Sequence, residues 1–256
     1  MSLKNIYLLF LATLILFSCS KNTSELNTTR QISIKLSDSP ADYERLIIDI
    51  DGVLLKENNK EYYLKTAFTG QLDILDFNNG KYYNLVTEKF KDFNPTEVIL
   101  VLGDNNFVTI KNKNYPLELA TGISNGISIT MPEDVLNSEI IDLHLDFNAA
   151  SSVKSTNDEY ILNPVINAKK KDSGGGVEGR INPVVPAVAY IIKDQDTISS
   201  TYVDEYGYFL IDNVEENDKY TLVLESTDDY EIAQKNNINI KNGRISNAGV
   251  IILKSK

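Results

Sequence analysis

His144 is the only histidine in the chain, and it stands between Asp142 and Asp146 in the string IDLHLDF. Alternate positions of a strand share a face, so one imidazole and two carboxylates would line up together. That set is chemically capable: it could hold a metal ion or move a proton. The counting works against both roles. A single histidine cannot build the multi-histidine zinc sites, and no second ligand sits at a diagnostic spacing. The chain has no Gly-x-Ser-x-Gly elbow, so a Ser-His-Asp triad would have to be built around His144. A solvated or hydrogen-bonded strand face is the simpler reading. Asp38 and Asp42 flank Pro40 and suit a turn, or the cap of a short helix with proline at its first position. Asp49-Ile50-Asp51-Gly52 resembles a fragment of a calcium loop but lacks the further oxygen ligands and the terminal glutamate, and its alternation instead fits a strand that turns at Gly52. Two acids meeting in space are the minimum for glycoside hydrolysis, yet no tryptophan is present to stack on a sugar. The expectation is no catalytic residue, no metal and no cofactor. Asp38, Asp42, His144 and Asp146 remain as ligand-binding or turn-fixing positions.

The single cysteine, Cys19, carries a different chemistry. Lys4 precedes a 12-residue apolar run from Ile6 to Phe17, and Ser18-Cys19 follows at once. The run is too short to cross a bilayer, which takes roughly 20 residues. With a basic start and a small residue before the break, residues 1–18 read as a signal peptide. A small residue followed by cysteine resembles a bacterial lipobox, although Phe17 is bulkier than the residue usually found there. The resemblance implies that Cys19 is acylated and becomes the mature N-terminus, with diacylglycerol and palmitate as the anchor. The other reading is an ordinary signal peptide with a bystander cysteine.

Composition narrows the partners. Removing residues 1–18 takes away one charge, Lys4, so the formal net charge goes from −11 to −12. Such an acidic chain does not carry the basic footprint of nucleic-acid binding. It also lacks the charge for peripheral attachment to anionic lipid, leaving a lipid anchor to do that work. With Cys19 acylated no thiol is left for a disulfide or a thiolate site. Stability must come from apolar cores, which 14 tyrosines and 9 phenylalanines can help to fill.

The elements that would position these residues are strands. Ile32, Ile34 and Leu36 alternate with polar residues, as do Leu46, Ile48 and Ile50, and Ile141, Leu143, Leu145 and Phe147. Val98 to Leu102 is apolar throughout, as in a buried strand. Turn chemistry at Asn58-Asn59, Asn79-Gly80, Asp104 to Asn106 and Asn125-Gly126 separates the runs. Helical signals are confined to single turns at Gln71 to Asp76 and Pro132 to Asn137. Tyr62-Tyr63 and Tyr82-Tyr83 each point one ring inward and one outward on a strand. Residues 19–30 are polar and aperiodic and read as a lipid tether. The string KKKDSGGG has no apolar face to bury, so residues 170–176 read as a linker, with a long hairpin loop as the alternative. The expected fold is mainly β: an antiparallel sandwich over residues 31–169 and a smaller one over residues 177–256.

Three strings tie the first half to a family. Leu36 to Asp42 (LSDSPAD), Leu72 to Asp76 with Asn79-Gly80, and Leu143 to Ala149 with Tyr160 to Ile166 resemble bacterial lipoprotein domains known as domain of unknown function 4382. Asn148 departs from the aspartate usual in that family. The resemblance implies no established chemistry. In the second half, Gly176 to Ile181 and Asp204-Glu205-Tyr206-Gly207-Tyr208-Phe209 are similar to carboxypeptidase regulatory-like, prealbumin-type sandwiches. Physical reasons fit that turn: Asp204 hydrogen-bonds the backbone, Gly207 supplies positive φ, and Phe209 re-enters the core. The family's Gly-Tyr pair is Asp229-Tyr230 here. This second resemblance implies a non-catalytic module. Together the readings point to an outer-membrane lipoprotein of the cell envelope, facing the periplasm or the outside. It would act without catalysis in binding, adhesion or scaffolding, with an unknown glycan or protein as ligand. The alternative is an accessory or carboxylate-based hydrolytic protein acting on envelope glycans.

Overall fold

The computed structural model describes residues 29–256, apart from 124, 125, 137, 157, 158, 172, 173, 227 and 228, and without the side chains of 67–69 and 218. The expected signal peptide, Cys19 and the expected tether up to residue 28 lie outside the described residues. Nineteen strands form the described chain. The first twelve are β1 (Thr29–Ser39), β2 (Arg45–Glu57), β3 (Lys60–Asp73), β4 (Tyr83–Lys91), β5 (Glu97–Leu102), β6 (Phe107–Ile110), β7 (Lys113–Leu119), β8 (Gly126–Thr130), β9 (Ile140–Asn148), β10 (Val153–Thr156), β11 (Glu159–Leu162) and β12 (Ile166–Lys170). The others are β13 (Gly175–Asn182), β14 (Ala187–Lys193), β15 (Asp196–Tyr202), β16 (Tyr208–Val214), β17 (Asn217–Ser226), β18 (Ala233–Ile240) and β19 (Ile245–Ile252). A 3-10 turn at Ile74–Asp76 and α-helical turns at Glu133–Leu136 and Ala149–Ser152 interrupt them. The first two of these fall inside the strings expected to form single turns.

Two separate cores organise the strands. In the first half a four-stranded sheet, β12-β9-β1-β4, shares one buried cluster with an eight-stranded sheet, β10-β11-β7-β6-β2-β5-β8 with β3 on the far edge of β2. Ile32, Ile34 and Leu36 of β1 meet Leu46, Ile48 and Ile50 of β2 there, all essentially sealed from solvent. In the second half a three-stranded sheet, β16-β13-β19, packs on a four-stranded one, β15-β14-β17-β18, around Phe209, Tyr220 and Leu222. Both halves are β-sandwiches, as the alternation predicts. They are mixed rather than purely antiparallel: β1 runs parallel to β9, β7 to β11, and β13 to β19. Alternation reports which face a residue takes but not the direction of its neighbour, and β1 and β9 are joined through the whole intervening chain.

Two local expectations change. Gly52 does not turn the chain; β2 continues through it with a register shift between Ile50 and Gly52. Both ends of the 170–176 string lie in strands: Lys170 ends β12, and Gly175 and Gly176 open β13. Gly174 to Gly176 are buried and pinned, with the Gly243 amide donating to the Gly174 carbonyl and the Gly176 amide to the Arg244 carbonyl. A β-carbon at Gly174 would collide with the carbonyl of Val214, and one at Gly175 with that of Lys241. These glycines serve close backbone approach, which composition cannot distinguish from flexibility.

Candidate functional site

β9 is the spine of the candidate site. Its inner face presents Ile141, Leu143, Leu145 and Phe147 to the first core, all at 0% exposure. Its outer face presents Asp142, His144 and Asp146. The sequence predicts that this face is solvated or hydrogen-bonded. It is hydrogen-bonded and not solvated: His144 is only 8% exposed, because strand β16 of the second half lies against it.

The contacts run in a chain across this junction. The Gly174 amide donates to Asn213 Oδ1 (3.3 Å), which fixes the Asn213 amide with its nitrogen toward His144. Asn213 Nδ2 lies 3.4 Å from His144 Nδ1, and His144 Nε2 lies 2.7 Å from Ser37 Oγ. With the Asn213 amide donating, Nδ1 is the acceptor and Nε2–H the donor, so the Ser37 hydroxyl accepts a hydrogen bond from the ring rather than donating one to it. That tautomer is the wrong one for activating Ser37 as a nucleophile. Beside it, Ser39 Oγ donates to Asp146 Oδ1 at 3.1 Å. Lys35 pairs with Asp142 (3.1 Å) and Lys171 with Asp212 (3.6 Å). Both lysines also stand over the ring of Tyr82, at 5.1 and 5.5 Å.

Further hydrogen bonds join the halves at the LSDSPAD string and the Asn79-Gly80 turn. Ala41 N donates to Tyr202 Oη (2.9 Å), and that hydroxyl donates back to the Ala41 carbonyl. Asn79 N donates to Thr201 Oγ1 (2.8 Å), Leu210 N to Asn79 Oδ1 (2.5 Å), and Asn79 Nδ2 reaches the Tyr208 carbonyl (3.4 Å). Gly80, at φ +75°, sits where any β-carbon would press on Leu210. The space left between the halves is about 50 Å³, bordered by Ser37, Ser39, His144, Asp146, Lys169 and Asp212. That admits a few waters and falls far short of the roughly 300 Å³ of a small-molecule pocket.

The four predicted positions divide. His144 and Asp146 meet in the junction. Asp38 lies between Ser37 and Ser39, the hydroxyl partners of His144 and Asp146, but points to the opposite face of β1, into the end of the first core. There its Oδ1 accepts the Ala149 amide (3.2 Å), and its Oδ2 is buried without a partner. Asp42 is exposed on the bend after Pro40 and joins neither group. No helix starts at Pro40, because the chain there must leave β1 and reach β2 within five residues. Burial controls the charges. It pushes Asp38 up to about 9, with the nearby Asp146 charge adding to the effect and the Ala149 amide opposing it. Burial also raises Asp146, against the Ser39 hydrogen bond and His144. It lowers His144, with Lys171 and Lys169 assisting and Asp212 and Asp146 opposing.

Other singled-out positions find structural work. Asp49 is buried and its Oδ2 accepts from Asn105, through the backbone amide (3.1 Å) and Nδ2 (3.0 Å), so it organises the Asp104 to Asn106 turn. Asp204 Oδ1 accepts the amides of Tyr206 (2.9 Å) and Tyr208 (2.8 Å), Gly207 takes φ +73°, and Phe209 is buried, as that motif predicts. Among the described residues no three His, Asp, Glu or Cys side chains gather in a way that could hold a metal ion. Also among them, no helix is long and apolar enough to cross a membrane. Sequence reasoning passed over Ser37, Asn213 and Tyr202. It read Asn79 only as a turn residue, since nothing local marks a side chain whose partner is over a hundred positions away.

The fold and site define a mainly-β chain of two sandwiches joined through a polar, hydrogen-bonded seam. The chain belongs to the family of the domain of unknown function DUF4382, whose profile matches residues 29–164. No curated protein matches it significantly. Among solved structures, it is similar to the Bacillus anthracis TIE protein, at 16% identity and TM-score 0.28 over 90% of this chain and 35% of that one. The chain thus spans about a third of that protein. It is also similar to a streptococcal ancillary pilin (7% identity, TM-score 0.24, covering 87% of this chain and 69% of that one). A major pilin protein of Streptococcus pyogenes follows at 12% identity and TM-score 0.19, over 90% and 100% of the two chains. Likeness at these scores carries no argument about function.

Proposed function

We propose that this protein is a lipid-anchored, non-enzymatic module of the cell envelope, a rigid pair of β-sandwiches that binds or scaffolds a glycan or protein. The observation that carries the non-enzymatic reading is the way both ring nitrogens of His144 are occupied. His144 is held by Ser37 of its own half and Asn213 of the other, and Asp146 by Ser39, beside a space of about 50 Å³. Surfaces suited to binding lie elsewhere. Tyr63 and Tyr62 are 50% and 42% exposed, and the free edge of β19 carries Val250 at 60% and Ile252 at 58%. Anchoring rests on the Lys4 to Cys19 string, and the prealbumin-type reading of the second half rests on the Asp204 to Phe209 turn.

The test has two arms. Cys19→Ala should move the protein from the membrane to the soluble fraction; a Cys19→Ala protein that still sediments wholly with membranes removes the anchor. A hydrolase screen of the purified chain with esters, peptides and glycosides should show no turnover. An activity abolished by Asp146→Asn or His144→Ala would replace the binding module with an enzyme.

A further inference from the structure

We propose that His144 is an acid-sensitive latch between the two sandwiches: uncharged, it accepts the hydrogen bond that Asn213 offers from the second half, and charged, it cannot, so the seam loosens. Donors and acceptors decide the contact. The amide of Asn213 cannot turn round to offer oxygen, because its Oδ1 is already the acceptor for Gly174 N. A proton on Nδ1 would therefore face the N–H that Asn213 aims at it, and a contact that joins the halves would become repulsive. Asn213 has no easy escape: it is 9% exposed, with its backbone held at φ +53°.

The surroundings decide when this happens. On its own strand His144 has Asp146 as neighbour. From β12 it faces Lys169, and from the segment after β12, Lys171. From β16 it faces Asp212, and from β1, Ser37, with Lys35 as its register partner held on Asp142. Two carboxylates draw a proton in, while two lysines and burial keep it out, with burial the largest influence. The ring therefore stays neutral at neutral pH and charges below the ordinary histidine value of about 6.5. Because the folded value is depressed, the unfolded chain binds the proton first. The contribution of the latch is complete above that value and is lost as pH falls through the folded one. Asp146 works in the opposite sense, since its raised folded value favours the closed seam in acid, so its influence must be separated by a variant that changes His144 alone.

The chain has one histidine, which makes the experiment clean. The imidazole of the full chain in detergent is titrated by NMR. In parallel, amide exchange is followed at Ala41, Asn79 and Leu210, whose amide bonds cross the seam, and corrected for intrinsic rates. The ring should titrate below about 6.5. Exchange at those three amides should rise roughly tenfold between about pH 7.5 and pH 5, while Leu143 in the core stays protected. His144→Gln, neutral throughout, should hold exchange flat. Asn213→Asp places an acceptor opposite the ring and keeps the acceptor for Gly174. It should move the titration upward and abolish the acid loosening, so the idea stays testable even if His144→Gln misfolds. A wild-type ring titrating at or above the ordinary value, pH-independent seam amides, or the same acid response in His144→Gln would each overturn the latch.

Discussion

The two faces of β9 are both buried, and they are buried in different ways. The inner face is apolar and meets β-strands of its own half around Leu143, Leu145 and Phe147. The outer face is polar and meets the second half where His144 contacts Asn213, beside the Ser37 and Ser39 hydroxyls of its own half. Burial of the inner face is driven by removing hydrocarbon from water and tolerates approximate fit. Burial of the outer face is allowed only because nearly every polar group finds a partner, so it depends on direction and on protonation. One face makes the sandwich stable; the other makes the two sandwiches a single body with a defined mutual position.

The largest effect that would test this contrast is at Phe147. Phe147→Ala should lower the unfolding free energy of the first half by about 3–5 kcal/mol, read by chemical denaturation. A loss below about 1 kcal/mol would mean the ring is not the core residue its 0% exposure makes it.

Asp38 comes next, because it is a polar group placed on the apolar side. Its folded form holds a proton up to about pH 9, while the unfolded carboxyl releases it near 4. Stability should therefore fall as pH rises between those values. Between pH 5 and 8 the fall attributable to Asp38 is on the order of 2–4 kcal/mol. Asp38→Asn, which mimics the protonated acid, should flatten that slope. An unchanged slope would show that the carboxyl is ionised in the fold.

On the seam the effects are smaller but change cooperativity. Asn79→Ala removes two side-chain hydrogen bonds to the second half and should cost about 1–3 kcal/mol. It should also separate the unfolding of the two halves in calorimetry. A single transition with unchanged midpoint would sink the seam as the coupling element. Tyr202→Phe removes the hydroxyl that both donates to and accepts from Ala41, for about 1 kcal/mol. The Ala41 amide should then exchange faster while Phe209 and its neighbours stay protected.

Much of the fold is legible in the chain because strand alternation is local. Ile141 to Phe147 announces which residues go inward, and Asp204 to Phe209 announces a turn down to its glycine and aspartate. The candidate site was legible only in part. His144 and Asp146 stand out by type, but their partners, Asn213 and Ser37 for the one and Ser39 for the other, are common residues with no distinguishing spacing. Asp38 stands between Ser37 and Ser39, whose hydroxyls reach His144 and Asp146, yet the pleat sends it to the other face.

The amino-acid sequence by itself determined the strands, the two cores, the family of the first half and the scarcity of catalytic groups, since each follows from short-range pattern and composition. Only the tertiary structure decided that β1 and β9 run parallel, that the glycines after Lys171 serve close packing, and that the polar face of β9 is covered. Those outcomes depend on which surfaces meet after the chain has closed. A hydrogen bond between residues as distant as His144 and Asn213 leaves no trace in the local order of either.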